Sequence, residues 1–260
     1  MRQISSYDEL PPLLAAQWKR GVLTNALLTP GDYRREIAAG TLWVHAWDGG
    51  LLLLRRRDGS WRMNFYLTNP GLPAELPAEG PVVTEIAFRP KDAGLQKTVG
   101  FWQENGFTLL FRRERLVFPE DYPIPPGPFP VRAAGLKDSD AVQTILTDCF
   151  DPLTGCLPTP GQLRQALEAG HILIAAAPEG PPAGLLHIQP EKRGTQLRHL
   201  AVTAPYRRKG AAQSLLSAYR GQAHGPGTVW VRTDNEAAEH TYRKNGCTPD
   251  GWMSAVLCRP

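Results

Sequence analysis

Three adjacent cations, Arg207, Arg208 and Lys209, run straight into Gly210-Ala211-Ala212. An apolar stretch, Leu200-Ala201-Val202, precedes them, Pro205 lies between, and a helically spaced segment follows. The order predicts a strand, a turn and a helix start. Backbone N–H groups in the first turn of a helix have no internal partners and point outward. With the positive end of the helix dipole, they form a site for phosphate oxygens. Gly210 and the small Ala212 let the backbone approach an anion closely, and the three cations neutralise it.

Two polar residues follow on the next predicted helix. Asn235, before Glu236 and Ala237, has the chemistry of an N-cap, and capping is compatible with a ligand contact. Tyr242 falls on an amphipathic helix, where a core aromatic with a satisfied hydroxyl is an equally ordinary role. His199 reads as a packing histidine, and Arg55-Arg56-Arg57 as solvated charge.

The elements that must position these residues are readable. In the second half, Ser139 to Cys149 and Gln162 to Ala169 read as helices. His171 to Ala177, Ala183 to Gln189 and Thr195 to Val202 read as strands of an antiparallel meander. A helix from Gly210 to Arg220, a strand at Thr228 to Arg232, a helix from Glu236 to Lys244 and a strand at Met253 to Cys258 complete it. In the first half, strands are expected at Thr41 to Trp47, Leu51 to Arg56, Trp61 to Leu67 and Val82 to Phe88. A helix then ends in Phe101-Trp102-Gln103-Glu104-Asn105-Gly106-Phe107, similar to Thr241-Tyr242-Arg243-Lys244-Asn245-Gly246-Cys247. The match suggests an internal duplication. Between the halves, Pro119, Pro123, Pro125, Pro126, Pro128 and Pro130 exclude a helix or central strand and predict a stiff extended linker. The division drawn is 1–118, a linker at 119–130, and 131–260.

The chain has 260 residues, 42% hydrophobic and 21% charged, which fits two packed domains and not a disordered chain. A net charge of +4 suits an anionic ligand and is too weak to argue for nucleic acid. The N-terminal residues carry no apolar signal core and no run reaches membrane-span length, so no membrane association is expected. Cys149, Cys156, Cys247 and Cys258 lack metal-ligand spacing and read as reduced thiols of a cytoplasmic protein without a metal site.

The paired motifs resemble the GNAT acyltransferase superfamily. Its pyrophosphate loop, Arg/Gln-x-x-Gly-x-Gly/Ala after a strand, is filled by Arg207, Gly210 and Ala212. A second signature runs through Asn235, Ala237, Tyr242, Lys244 and Gly246. The resemblance covers roughly Val131 to Pro260. It implies a mixed α/β fold of mostly antiparallel twisted sheet flanked by helices, in two tandem domains. It further implies that acetyl-CoA or another acyl-CoA lies as a co-substrate between strands splayed apart. The acyl-pantetheine arm would pair with backbone near Leu200 and Val202, its phosphates would sit on 207–212, and Asn235 would hydrogen-bond the arm. Tyr242 would protonate the leaving thiolate, a strand N–H would stabilise the oxyanion, and a primary amine of a small molecule or polypeptide would attack directly.

Where many members carry a glutamate base, this chain has Gln196. Arg198 is expected to share its face, with His199 pointing the other way. The remaining base candidates are Asp151 and Glu191, or bulk water. The first half lacks the phosphate loop: Asn69-Pro70-Gly71-Leu72-Pro73 follow the strand ending near Leu67, Leu95 replaces Asn235, and Trp102 replaces Tyr242. It resembles a degenerate copy. A regulatory acyl-CoA-binding module without turnover, and a scaffold that binds no cofactor, are the alternative readings.

Overall fold

The computed structural model describes all residues except 18–20, 27, 69–75, 77–78, 193 and 224. The expected loop Asn69 to Pro73 lies outside the described residues. In chain order the strands are β1 (Arg2–Gln3), β2 (Leu23–Thr24), β3 (Leu42–Trp47), β4 (Gly50–Arg57), β5 (Ser60–Leu67), β6 (Val82–Phe88), β7 (Thr108–Phe118), β8 (Val131–Ala133), β9 (Ile172–Ala175), β10 (Gly184–Glu191), β11 (Gly194–Val202), β12 (Gly227–Arg232) and β13 (Thr248–Arg259). The helices are α1 (Leu10–Gln17), α2 (Pro30–Ala38), α3 (Ala93–Glu104), α4 (Ser139–Cys149), α5 (Pro160–Glu168), α6 (Ala211–Gln222) and α7 (Glu236–Lys244). The mixed α/β class and mostly antiparallel sheet are as the sequence predicts, and β6, α4 and α7 have the expected limits.

The chain forms two compact units, Met1–Arg113 with Gly251–Pro260, and Glu114–Asp250. This differs from the division drawn at the prolines. β13 pairs antiparallel with β6 from Met253↔Phe88 to Arg259↔Val82. Its Ala255 and Leu257 are buried in the first unit's core, and Ser254 Oγ donates to Glu85 at 2.6 Å. An apolar strand advertises burial but not its partner. The proline-rich stretch does not stand apart either, because it is strapped along α6. Gln213 Nε2 donates to the Pro125 carbonyl at 2.7 Å, and Phe129 N–H donates to Ser214 Oγ at 2.9 Å.

In the second unit, β8, β9, β10 and β11 form an antiparallel meander, and β12 joins β11 in parallel. One core packs α6 and α7 with Leu116 and Phe118, and another packs α4 and α5 against Ile172, Ile174 and Leu185. The first unit has the same plan, with β3, β4 and β5 antiparallel and β6 parallel to β5. A second repeat, beyond the match at 101–107, lies in Thr29-Pro30-Gly31 and Thr159-Pro160-Gly161, each ending in Ala-Gly at 39–40 and 169–170. Each Thr caps its helix in a capping box with Asp32 or Gln162, and Pro at the first helical position is pre-set for the turn.

Both parallel pairs are short. β5 pairs β6 only over Trp61–Met63 and Val82–Thr84. Beyond them the first unit fills the gap with its own chain. β2 pairs with β5 at Leu23↔Leu67 and Thr24↔Tyr66, and the buried Asn25 bonds both sides. Its amide donates to Thr84 Oγ1 and the Glu85 carbonyl, each at 2.9 Å, and its Oδ1 accepts from Phe65 N–H at 2.8 Å. Asn25→Ala would strand a backbone donor and acceptor in the core. The expected loss is about 2–4 kcal/mol in urea unfolding, and a change below about 0.5 kcal/mol would contradict the plugging role.

Candidate active site

In the second unit the corresponding strands also part, and the chain does not fill the space in that way. β11 pairs β12 through Thr195↔Gly227, Gln196↔Thr228 and Leu197↔Val229, and no further. Residues 198–202 and 230–232 therefore offer edges to a ligand that binds as an added strand. At the branch point β11 carries a bulge. Ile188 pairs with Leu197 and His187 with His199, so Arg198 has no opposite number on β10. The β4–β5 ladder of the first unit has no such shift. The extra residue lets Leu197 and Leu200 both face the α6 side, against strict alternation.

Past Val202 the chain makes a single 3₁₀ turn, Ala204–Tyr206, and enters α6 through two left-handed residues, Arg208 at φ 60° and Gly210 at φ 92°. A side chain at Gly210 is strained by that φ, and its Cβ would stand 2.7 Å from Pro128 Cδ. The first bond into the helix, Ser214 N–H to the Gly210 carbonyl, is 3.0 Å. The N–H groups of Ala211, Ala212 and Gln213 precede it and are the outward donors expected of a helix start. Arg207 Nε donates to the Val202 carbonyl at 3.2 Å, Lys209 lies 5.8 Å from the Tyr206 ring, and Arg208 is exposed. The proline strap closes one side of this turn: a Cβ on Gly127 would lie 2.8 Å from the Gly210 carbonyl. These donors and cations fit a pyrophosphate group.

Asn235 caps α7, its Oδ1 accepting from Ala238 N–H at 3.1 Å. Tyr242 keeps 6% of its surface exposed and sits edge-on to Phe118 with ring centres 5.9 Å apart. Burial, with the Cys247 thiol adding, raises its phenol far above the ordinary value, so the proton is retained. A cavity of about 230 Å³ opens at the end of β12, lined by Leu116, Val231, Arg232, Thr233, Glu114 and Glu239.

Arg198 donates to Gln196 Oε1 at 3.0 Å, as their expected common face requires. The two carboxylate candidates separate. Glu191 pairs with Gly194 at the β10–β11 hairpin, at the end where β11 and β12 are still joined. Asp151 Oδ1 accepts from Thr154 N–H at 2.7 Å and Thr154 Oγ1 at 2.8 Å, which fixes the loop after α4. His199 is 2% exposed and edge-on to Phe150, as a packing histidine should be. Sequence reasoning passed over His187, whose Nδ1 lies 3.1 Å from His199 Nδ1. The i/j pairing of a meander could have found it, because both imidazoles lie on neighbouring strands. Among the described residues no group of three His, Cys, Asp or Glu could hold a metal ion, and no helix is long and apolar enough to cross a membrane.

Residues 140–247 match the model of the acetyltransferase (GNAT) family. No curated protein matches the chain. Among solved structures, a GCN5-related N-acetyltransferase from Sphaerobacter thermophilus is similar with a TM-score of 0.61 at 14% identity, over 100% of this chain and 95% of that one. A GNAT-family acetyltransferase from Colwellia psychrerythraea gives 0.58 at 14%, over 99% and 98%. A GCN5-related N-acetyltransferase from Kribbella flavida gives 0.56 at 13%, over 99% and 71%. At these identities the likeness is one of fold.

Burial, with His199, Arg198 and His171 adding, holds His187 down at about 3, against an ordinary value of 6.5. Between those values the unfolded chain binds a proton that the folded chain does not. Stability therefore rises with pH across the window and is lost as pH falls from about 6.5 towards 3. Melting temperatures of His187→Gln should fall less steeply with acid than those of the wild type, and parallel profiles would contradict the shift.

Proposed function

Because the chain carries a domain of the acetyltransferase (GNAT) family over residues 140–247, we propose that it transfers the acyl group of an acyl-CoA, acetyl-CoA first, to a primary amine. The observation that carries this reading is the parting of β11 from β12 beside a helix start lined with donors. An extended pantetheine arm pairs with the free edge near Leu200 and Val202. Its pyrophosphate is held by the N–H groups of Ala211 and Ala212, with Arg207, Arg208, Lys209 and Gly210 around it. The capping oxygen of Asn235 is engaged, which leaves its NH₂ to donate to the arm.

A backbone N–H of β11 beside the bulge at Arg198 bonds the oxyanion formed when the amine attacks the thioester carbonyl. As that oxyanion collapses, the carbon–sulfur bond breaks and Tyr242 gives its phenolic proton to the thiolate. A phenol whose pKa is raised by burial is a weak acid. It still transfers a proton readily to a thiolate forming in the same apolar surroundings, where that charge is equally disfavoured.

The first unit is read as a copy that has lost this activity. The shared helix starts, the shared strand plan and Trp102 in the place of Tyr242 support a duplication, and Asn25 occupies the space that the arm needs. The acceptor is a small molecule or a polypeptide, and Arg198 at the branch point favours one that carries an anionic group. The binding-only alternative differs in one observable, the release of free thiol.

Acetyl-CoA at about a hundred times its dissociation constant should add about 2.7 kcal/mol of stability, a rise of roughly 5 to 10 °C in melting temperature. Tyr242→Phe should keep that rise while its thiol release with an amine panel falls about 10²-fold. Equal turnover in the two proteins would remove Tyr242 from the mechanism.

A further inference from the structure

The sheet of the second unit has two sides at the fork. The start of α6 and the Tyr242 side chain belong to the α6 and α7 side. An acyl-CoA held there leaves the other side to the amine, and the residues on that side select it.

The last parallel pair is Leu197↔Val229, so Arg198 and Trp230 are the first residues past the fork, one on each strand. Val229 and Val231 both enter the core under α6 and α7. Trp230 between them therefore faces the other side. On β7, Leu116 enters the same core, which turns Arg115 to the side of Trp230. Its guanidinium lies 5.7 Å from the indole centre and is held by Asp250, which accepts from Arg115 Nε at 2.9 Å. The indole is thus fixed by a pinned cation. It remains part-exposed, and its N–H makes no hydrogen bond among the described residues.

On β11 the bulge places Arg198 beside His199, which packs on Phe150 of the α4 side. Arg198 is exposed, bonds Gln196 at 3.0 Å, and pairs with no carboxylate among the described residues. The loop after α4 borders the same side. Its Gly155 carbonyl lies 2.9 Å from His199 Nε2, and Asp151 adds to the field, due first to Asp234, that keeps Arg232 charged at the end of β12.

The first unit supplies the comparison. Its last parallel pair is Met63↔Thr84, so Asn64 and Glu85 stand where Arg198 and Trp230 stand. Both bond the chain itself. Asn64 donates to the Asn25 carbonyl at 3.2 Å, and Glu85 accepts from Arg113 at 2.7 Å and Ser254 at 2.6 Å. Around the open gap the same two positions carry a guanidinium without a carboxylate and an indole without a hydrogen bond. An indole offers a flat apolar surface to another ring, and a guanidinium recognises a planar anion.

We propose that Trp230 and Arg198 form the acceptor platform, and that the acceptor is an arylalkylamine bearing a carboxylate. The proposal rests on the acyl-transfer reading above. The ring of the acceptor stacks on the indole and its carboxylate pairs with Arg198. Its amine then meets the thioester at the fork from the side opposite Tyr242. Both residues bind and orient the acceptor, so their loss appears in kcat/KM for an acceptor that carries the matching group.

The test separates ring from charge with four acceptors: para-(aminomethyl)benzoate, benzylamine, ε-aminocaproate and hexylamine. Thiol release with acetyl-CoA is measured for wild type, Trp230→Leu and the exposed-site variant Arg198→Gln. Wild type should prefer the ring acid in kcat/KM. Trp230→Leu should lose about tenfold of the preference for ring over alkyl and keep that for carboxylate, and Arg198→Gln should do the reverse. The rise in melting temperature with acetyl-CoA, retained in both variants, confirms their fold. No preference in the wild type, or equal losses for all four acceptors in either variant, would overturn the platform. A wild type that binds acetyl-CoA but releases no thiol with any of them would overturn the acyl-transfer reading instead. Calorimetric titration of the ring acid into the protein–CoA complex then judges the platform alone. Binding that weakens about tenfold in each variant supports it, and no binding, or binding equal in all three proteins, overturns it.

Discussion

A parallel strand pair that parts after three residues leaves backbone donors and acceptors facing a gap, and the rest of the second unit is organised around that gap. Buried peptide groups need partners, so such an opening must be closed by the chain, by water or by a ligand. At the branch point the bulge at Arg198 redirects β11. Beyond it Gly210 turns the chain into α6, and the strap at 125–129 fixes the first turn of that helix. Asn235 caps α7, and Tyr242 is buried on it. The bulge costs regularity in the sheet, and the left-handed residues before α6 cost strain in a turn.

The first unit meets the same constraint with a different solution. There β5 and β6 also part after three pairs, but residues 23–25 enter the opening and Asn25 satisfies both edges. In the second unit the segment at the corresponding place, the loop after α4, meets β11 where the Gly155 carbonyl lies 2.9 Å from His199 Nε2. In the first unit the paired strand β2 and the Asn25 amide close the gap. A single amide side chain bonds both edges of the first unit's gap.

Local elements were legible because their signals are local. Alternation placed the meander, capping residues placed the helices, and the run from Arg207 to Ala212 announced its strand–turn–helix. The Thr-Pro-Gly starts at 29–31 and 159–161 also stood in the sequence, a stronger mark of duplication than the match at 101–107. What was not legible depends on partners. Nothing in Met253 to Arg259 says that β13 will pair with β6. The bulge at Arg198 is visible only as a register shift between two strands, and His187 gains meaning only from the residue opposite it. The prolines at 119–130 ruled out helix and strand correctly, but their strapping to α6 comes from side chains on that helix.

The central claim is that one strand gap is open to an acyl-CoA and the other is closed by the chain itself. Isothermal titration of the purified protein with acetyl-CoA, alongside Gly210→Glu, tests it most directly. The account predicts one site per chain, abolished by the substitution at the turn into α6. Two sites per chain, or a single site that survives Gly210→Glu, would contradict it.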